Sequence, residues 1–523
     1  MDTPAPLLIA LPQGLNVSGV TLWALRLVRA MAERGRPAGL ILHPEPEGQR
    51  PIARRLPRGV KVFDLRDLPP IQKCGGDLSA YIPRYLDALE TMARRGTVVM
   101  SPNLHGDCYG VCAALAQARP DILRVVGWQH SDIAYDTRML AHYAPMLHRF
   151  VGVSDVIERS LKKELGARAG DVLNIPYGVE TPEEPHARTP LSGRPVRLLY
   201  TGRIEHEQKR VGALIAMSDA LAMAGIDHRL TLLGDGPAAA EIDKACEHRP
   251  EIRRIRPGGQ GTVRRHLASH DAFVLASRYE GLSVSMLEAM AHGCVPIVTG
   301  VRSGAAQAIS DGDNGLLAGA GEDDDEQTVG RAMAEEVRRM LDACPARLSE
   351  RAWLSARERF SIDLHADRAS KLFDRVAGEP ARAWPASRPC AFSAAAGSVG
   401  ASGSVPEEGP KLLRDLLATL RGQTIVLHGA GRHTIELASV LADAPVEIAA
   451  IADDDPNRHG QTLFGWPIIA PSRVKETGAA GVVISSWMHQ DAIYDRCSPI
   501  YAHAGLRTWR VYPQRDASGV SAA

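Results

Sequence analysis

Short apolar runs of strand length alternate with helical patterns along most of this chain. The runs are Leu7 to Leu11, Gly39 to Leu42, Val98 to Met100, Arg124 to Trp128, Phe150 to Val153, Val196 to Tyr200, Arg229 to Leu233, Asp271 to Leu275 and Val295 to Val298. Such alternation implies α/β architecture, with parallel strands covered by helices on both faces. The first helix is well marked: Ser18 can cap it, an apolar stripe runs through Val20, Trp23, Ala24, Leu27, Val28 and Met31, and Gly35 can stop it.

At 523 residues the chain is too long for one core. The run from Asn174 to Pro185, with three prolines, breaks the alternation and reads as a hinge. A second break, Glu379 to Pro410, is rich in Ala, Gly, Ser and Pro and reads as a flexible linker. We therefore expect a Rossmann-like domain at 1–180, another at 181–378, a linker at 379–410, a small Rossmann-like domain at 411–515 and a tail at 516–523.

Lys plus Arg and Asp plus Glu number 61 each, so no net field favours nucleic acid or an anionic bilayer. Peripheral membrane contact stays open. The eight cysteines are scattered except Cys108 and Cys112, which lack a second ligand pair for zinc, so structural thiols in a reducing cytoplasm are expected. The amino terminus lacks a basic segment before its short apolar run, unlike a secretory signal.

The stretch from Ser277 to Thr299 carries Glu280 and Glu288 with seven residues between them. It reads as strand end, glycine turn, short helix and next strand, which sets both carboxylates beside a crevice at a strand's carboxyl end, where open α/β sheets bind ligands. Arg203 and Lys209 lie in a strand-to-helix loop, beside helix N–H groups that favour anions. Alone, that loop also fits solvated surface cations. The turns at Gly234 and at Gly258 and Gly259 fall on the same edge, so together these loops can hold a nucleotide diphosphate.

From Arg197 to Leu317 the chain resembles the donor-binding half of retaining glycosyltransferase family 4, which has the two-domain GT-B fold. The matching segments are Tyr200-Thr-Gly-Arg203 with Lys209, Leu233-Gly-Asp-Gly-Pro237, Ser277-Arg-Tyr-Glu-Gly-Leu282, Leu287-Glu-Ala-Met-Ala-His-Gly-Cys-Val-Pro296 and Asp311-Gly-Asp-Asn-Gly-Leu-Leu317. The resemblance implies Arg203 and Lys209 on the donor diphosphate, Glu280 against the donor sugar and Glu288 on the ribose. It adds Gly19, Gly234, Gly281, Leu282 and Ser283 to the donor site, His130 as a catalytic cleft residue and His105 on the acceptor side. No metal or other cofactor is expected, since GT-B enzymes generally work without one.

Two features depart from the family pattern. Gly19 stands without a second adjacent glycine, and Gln307 occupies a loop where relatives commonly carry glutamate. Asp311-Gly-Asp313 lacks the glycine of a calcium loop and reads as a turn. Asp323 to Asp325 read as a solvated acidic face. In the third domain Gly429 and Gly431 match part of a dinucleotide fingerprint, with Thr434 in place of its last glycine and Asp453 near the position of a ribose-binding acid. A ligand-binding, a docking or an oxidoreductase module all fit that domain.

The resemblance implies a cytoplasmic hexosyltransferase that uses a nucleotide-sugar donor and a sugar, lipid-linked or other small acceptor, with retention, in polysaccharide or glycoconjugate assembly. A nucleotide-sugar epimerase or hydrolase, or a non-catalytic nucleotide-sugar sensor, remain the alternatives.

Overall fold

The apolar runs become strands because each is buried on both faces, which only a parallel sheet layered with helices provides. In the computed structural model, described over residues 4–16, 18–45, 56–74, 76–94, 96–103, 106–186, 188, 190–256, 259–388, 390–391, 408–437, 440–441, 444–455, 458–487 and 490–513, three sheets form. The chain divides into two compact units at Phe392/Ser393.

The first unit holds two sheets. One contains β1 (Leu7–Leu11), β2 (Ala38–Leu42), β3 (Val60–Asp64), β4 (Val98–Ser101), β5 (Leu123–Gln129), β6 (Leu147–Gly152) and β7 (Val172–Asn174) in the order β3-β2-β1-β4-β5-β6-β7. The other contains β8 (Val196–Thr201), β9 (His228–Leu233), β10 (Ile252–Ile255), β11 (Ala272–Leu275), β12 (Val295–Thr299) and β13 (Leu316–Ala318) in the order β10-β9-β8-β11-β12-β13. All pairings in both are parallel. Two Rossmann-like sheets in one unit make the expected GT-B architecture. In each, the strand order reverses direction at one point, β1/β4 and β8/β11, and ligands bind beyond the strand ends at such switch points.

The first helix, Gly19–Glu33, follows its pattern: Ser18 caps it by accepting from the Thr21 N–H at 3.1 Å, and Trp23, Ala24, Leu27, Val28 and Met31 are buried. The strands without an apolar signature lie at sheet edges. β3 is largely exposed, and β10 carries two adjacent arginines between its isoleucines.

Two expected boundaries change. The helix Ile362–Ala377, assigned above to the second domain, packs against the first helix, with the Trp23 indole N–H donating to His365 Nε2 at 2.9 Å and Arg34 paired to Asp363 at 2.6 Å. The segment read as a flexible linker is fixed in its first part. Trp384 is buried against Tyr143 and His142, while Arg124 donates to the Glu379 carbonyl at 2.8 Å and the Tyr143 hydroxyl to the Cys390 carbonyl at 2.8 Å. One indole on the right face outweighs a composition that otherwise reads as linker.

The second unit holds β14 (Thr424–His428), β15 (Glu447–Ala452), β16 (Thr462–Leu463), β17 (Trp466–Ile469), β18 (Gly481–Ile484) and β19 (Arg507–Arg510), ordered β16-β17-β15-β14-β18-β19. Its own core includes Leu413, Leu417, Ile425, Leu427, Ile451 and Val483. No helix among the described residues is long and apolar enough to cross a membrane.

Candidate active site

At the β8/β11 switch point two loops are stitched together by the residues on either side of Lys209. Gln208 accepts from the Arg278 N–H through its carbonyl at 2.7 Å and donates its side-chain amide to the Tyr279 carbonyl at 3.1 Å. Arg210 is fully buried, and its guanidinium donates to the carbonyls of Ala276 (2.8 Å), Ser277 (3.0 Å) and Gly321 (2.9 Å). Arg210 is also held at φ +46°, in the left-handed region, where a non-glycine residue persists only if its surroundings over-determine it. Lys209 is thereby delivered to Glu280.

The Lys209 ammonium pairs with Glu280 Oε1, which also accepts from the Ser277 hydroxyl at 2.7 Å. Both side chains are about six-sevenths buried, at 15% and 14% exposure. Arg203 differs: its side chain is 59% exposed and its one ion pair among the described residues is to Glu205, at 3.7 Å. One cation is therefore held at the crevice wall and the other extends into solvent beside it.

The glycines of this edge are required by close approach. Gly202 has no room for a side chain, since a Cβ would lie 2.7 Å from the Tyr200 hydroxyl. A Cβ at Gly234 would overlap the Gly202 carbonyl, and one at Gly281 would overlap the carbonyl of His130. Leu282 is buried, and Ser283 caps the helix Val284–Ala291 by accepting from the Met286 N–H at 3.2 Å. Ser277, Glu280, Ser283, Met286, Thr299 and Ser303 line a small pocket there.

The first sheet faces this edge. Gly19, at the start of the first helix, lies against Val284, where a Cβ would be 3.4 Å from its side chain. Arg26, two turns on, pairs with Glu288 Oε1. Gln307 accepts from the Asp155 N–H at 2.8 Å, so it caps the helix Asp155–Leu165 of the first domain. Arg302 reaches Ser160 at 2.7 Å on the same helix and Asp132 at 3.1 Å in the loop after β5.

His130 is fixed rather than open. One ring nitrogen lies 2.7 Å from the Tyr177 hydroxyl and the other 2.8 Å from Asn103 Oδ1, and the ring stacks on Tyr177 at 5.7 Å. Burial holds its pKa down at about 3, so it is neutral. Its carbonyl, not its ring, meets Gly281. His105 and Gly258 lie outside the described residues.

Elsewhere, the Asp311–Gly315 segment is a turn, with Asp311 accepting from the Leu317 N–H at 3.0 Å and pairing with Arg339. Asp323 to Asp325 are more than a solvated face, because Asp325 caps the helix Glu326–Asp342 through the Thr328 N–H at 2.7 Å. Cys108 and Cys112 are buried and unbridged, and burial pushes the Cys108 thiol up to about 12.

In the second unit, Gly429 is at φ +114°, and Gly431 precedes the five-residue helix Arg432–Glu436. Asp453 serves this loop's own backbone, with its two oxygens accepting from the N–H groups of Ala430 (2.7 Å) and Asp455 (3.0 Å). Asp453 thus braces the loop formed by the two fingerprint glycines. His428, Asp454 and Cys497 bring potential metal ligands within 4.8 Å of one another, but Arg496 is paired with Asp454 and the Tyr501 hydroxyl lies 2.6 Å from His428.

Residues 195–343 match the family model described as "Glycosyl transferases group 1". The chain is 29% identical over 202 residues to lipopolysaccharide 1,6-galactosyltransferase of Salmonella typhimurium, covering 37% of this chain and 54% of that protein. It is 34% identical over 203 residues to glycogen synthase of Mycobacterium tuberculosis, covering 38% of this chain and 46% of that protein. The chain thus spans about half the length of the curated relatives it matches. Among solved structures, sucrose-phosphate synthase from Thermosynechococcus elongatus shares the fold, with a TM-score of 0.56 at 16% identity over 71% of this chain and 99% of that one.

Proposed function

We propose that this protein is a retaining hexosyltransferase that moves a sugar from a nucleoside-diphosphate donor to a saccharide or lipid-linked acceptor. The observation that carries the reading is the Lys209–Glu280 pair at the β8/β11 switch point, with the exposed Arg203 beside it and Glu288 on the following helix. The relatives' names, a galactosyltransferase and a glycogen synthase, support hexosyl transfer to a glycan.

As the anomeric carbon–oxygen bond breaks, negative charge grows on the departing nucleoside diphosphate. Lys209 and Arg203 meet that charge without a metal, and they stabilise the transition state more than the bound substrate because the charge is larger there. Glu280 accepts from hydroxyls of the donor sugar. Glu288 accepts from the ribose and holds the nucleotide in register. The eight unbridged cysteines suit a reducing compartment, so we place the reaction in the cytoplasm.

A panel of nucleotide sugars incubated with and without saccharide acceptors tests this, with nucleoside diphosphate release as readout. Acceptor-dependent release is expected, and Lys209→Ala should lower it by about 10²–10³. Unchanged consumption in that variant sinks the assignment. Rapid acceptor-independent product favours an epimerase or hydrolase instead.

A further inference from the structure

Arg26 is a buried cation on the first helix. Its neighbours Trp23, Leu25, Leu27 and Val28 are all buried, and Arg26 itself is only 8% exposed. Its nearest cationic counterpart on the same helix, Arg29, behaves as an ordinary surface group: it is 41% exposed and pairs with Glu33 and Glu180. Burying a guanidinium is costly unless its donors are met. Arg26 Nη2 is met by Glu288 Oε1. Arg26 Nη1 is buried and has no hydrogen-bond partner among the described residues. A buried, unmatched donor calls for an explanation, and the residue next to it narrows the choice.

Glu288 supplies the complementary half. Its carboxylate is largely buried, at 13% exposure, and Oε2 makes no hydrogen bond to a described residue. The ion pair therefore joins a guanidinium with one unmet N–H donor to a carboxylate whose second oxygen has no hydrogen bond to a described residue. A hydroxyl satisfies both at once, because its oxygen accepts while its hydrogen donates. A phosphate oxygen would meet only the donor and would be repelled by the carboxylate. The contact also bridges the two domains, since Arg26 comes from the helix after β1 and Glu288 from the helix after β11.

We propose that Arg26 is a ribose-binding residue contributed by the first domain: its free Nη1 donates to a sugar hydroxyl of the donor nucleoside whose proton goes to Glu288. This rests on the reading of Glu288 as the ribose anchor. It makes discrimination between ribose and deoxyribose a property of the assembled pair of domains and not of the second domain alone.

Binding of UDP, ADP, GDP and TDP to the full chain is measured by calorimetry, followed by the 2′-deoxy and 3′-deoxy forms of the tightest ribonucleotide. The wild-type chain should bind one deoxy form roughly tenfold to a hundredfold more weakly than the ribonucleotide, as expected for a hydrogen bond to charged groups. Arg26→Lys keeps an ammonium for Glu288 but lacks the second arm. It should weaken the ribonucleotide by a similar factor while leaving the deoxy form unchanged. Arg26→Met should do the same, and the melting temperature of each variant reports folding.

If either folded variant retains the wild-type ratio of ribose to deoxyribose affinity, Arg26 is structural and the proposal is overturned. If the wild-type chain discriminates but only Glu288→Gln abolishes it, Glu288 is the ribose anchor and Arg26 is not a contact. If the wild-type chain binds no nucleoside diphosphate at all, the reading of the site and this inference fall together.

Discussion

Gly281 backs directly onto His130, leaving no room for a Cβ between its backbone and the His130 carbonyl. The Gly281 carbonyl is in turn held by the Gly304 N–H at 2.7 Å. The loop that carries Glu280 is thus wedged between its own domain and the end of β5. Gly281→Ala should push the two sheet edges apart, and a misplacement of about 1 Å at such a site lowers turnover by about 10². The strain should cost only about 1–3 kcal/mol of stability. Steady-state kinetics beside urea denaturation separates the two effects, and an equal loss in both would contradict the wedge.

In the function proposed above, the Lys209–Glu280 ion pair must open before Lys209 can receive the donor diphosphate. Glu280→Gln should therefore release Lys209, tightening nucleoside diphosphate binding about threefold or more while lowering sugar transfer at least about tenfold. Calorimetry with the product nucleotide and a transfer assay give the two numbers. Weaker product binding in the variant would count against that requirement.

Arg210 should matter for stability more than its position beside Lys209 suggests. Arg210→Ala would strand the carbonyls of Ala276 and Gly321, at about 1–3 kcal/mol for each buried group left unpaired, while the Ser277 carbonyl keeps the Thr299 hydroxyl at 2.7 Å. The variant should unfold at markedly lower urea concentration than Lys209→Ala, which loses a charge pair but few backbone contacts.

The pH dependence of stability should have two opposing parts. Burial lowers His130 to about 3 and His365 to about 4, against an ordinary 6.5. Between those values the unfolded chain binds more protons, so their contribution to stability falls as pH drops from 6.5 towards 4. Asp136 works in reverse: burial raises it from 3.8 to about 8, so the folded state binds the extra proton and loses stability as pH rises through that window. Asp136→Asn should accordingly raise the melting temperature more at pH 8 than at pH 5. Thermal melts across that range check the sign.

Trp384→Ala should destabilise the first compact unit by about 3–5 kcal/mol, the usual cost of emptying a buried tryptophan site. A residue in a true linker would cost almost nothing. Urea denaturation of the variant distinguishes these outcomes.

The central strands β1, β4, β8, β11 and β12 were legible in the sequence because burial on both faces demands an apolar run in each. The edge strands β3 and β10 were not, since one side of an edge strand meets solvent and tolerates lysine and arginine. Local chemistry was equally readable: Ser18 caps its helix because a hydroxyl before an apolar stripe can reach an N–H three residues on. The glycine turns and the cationic loop at Arg203 and Lys209 were visible for the same reason, as consequences of near neighbours.

Partners distant in the chain were decided only by the tertiary fold. Nothing in the first helix announces that Arg26 will meet Glu288, 262 residues away, or that Trp23 will donate to His365. The same holds for Asp453, which accepts from the Ala430 N–H of a loop 23 residues earlier. Residue type and short-range spacing fix strands, caps and turns because those interactions close within a few residues. Which charge is paired, which donor is left open and which histidine is held neutral depend on packing between elements, and that packing exists only once both sheets are in place.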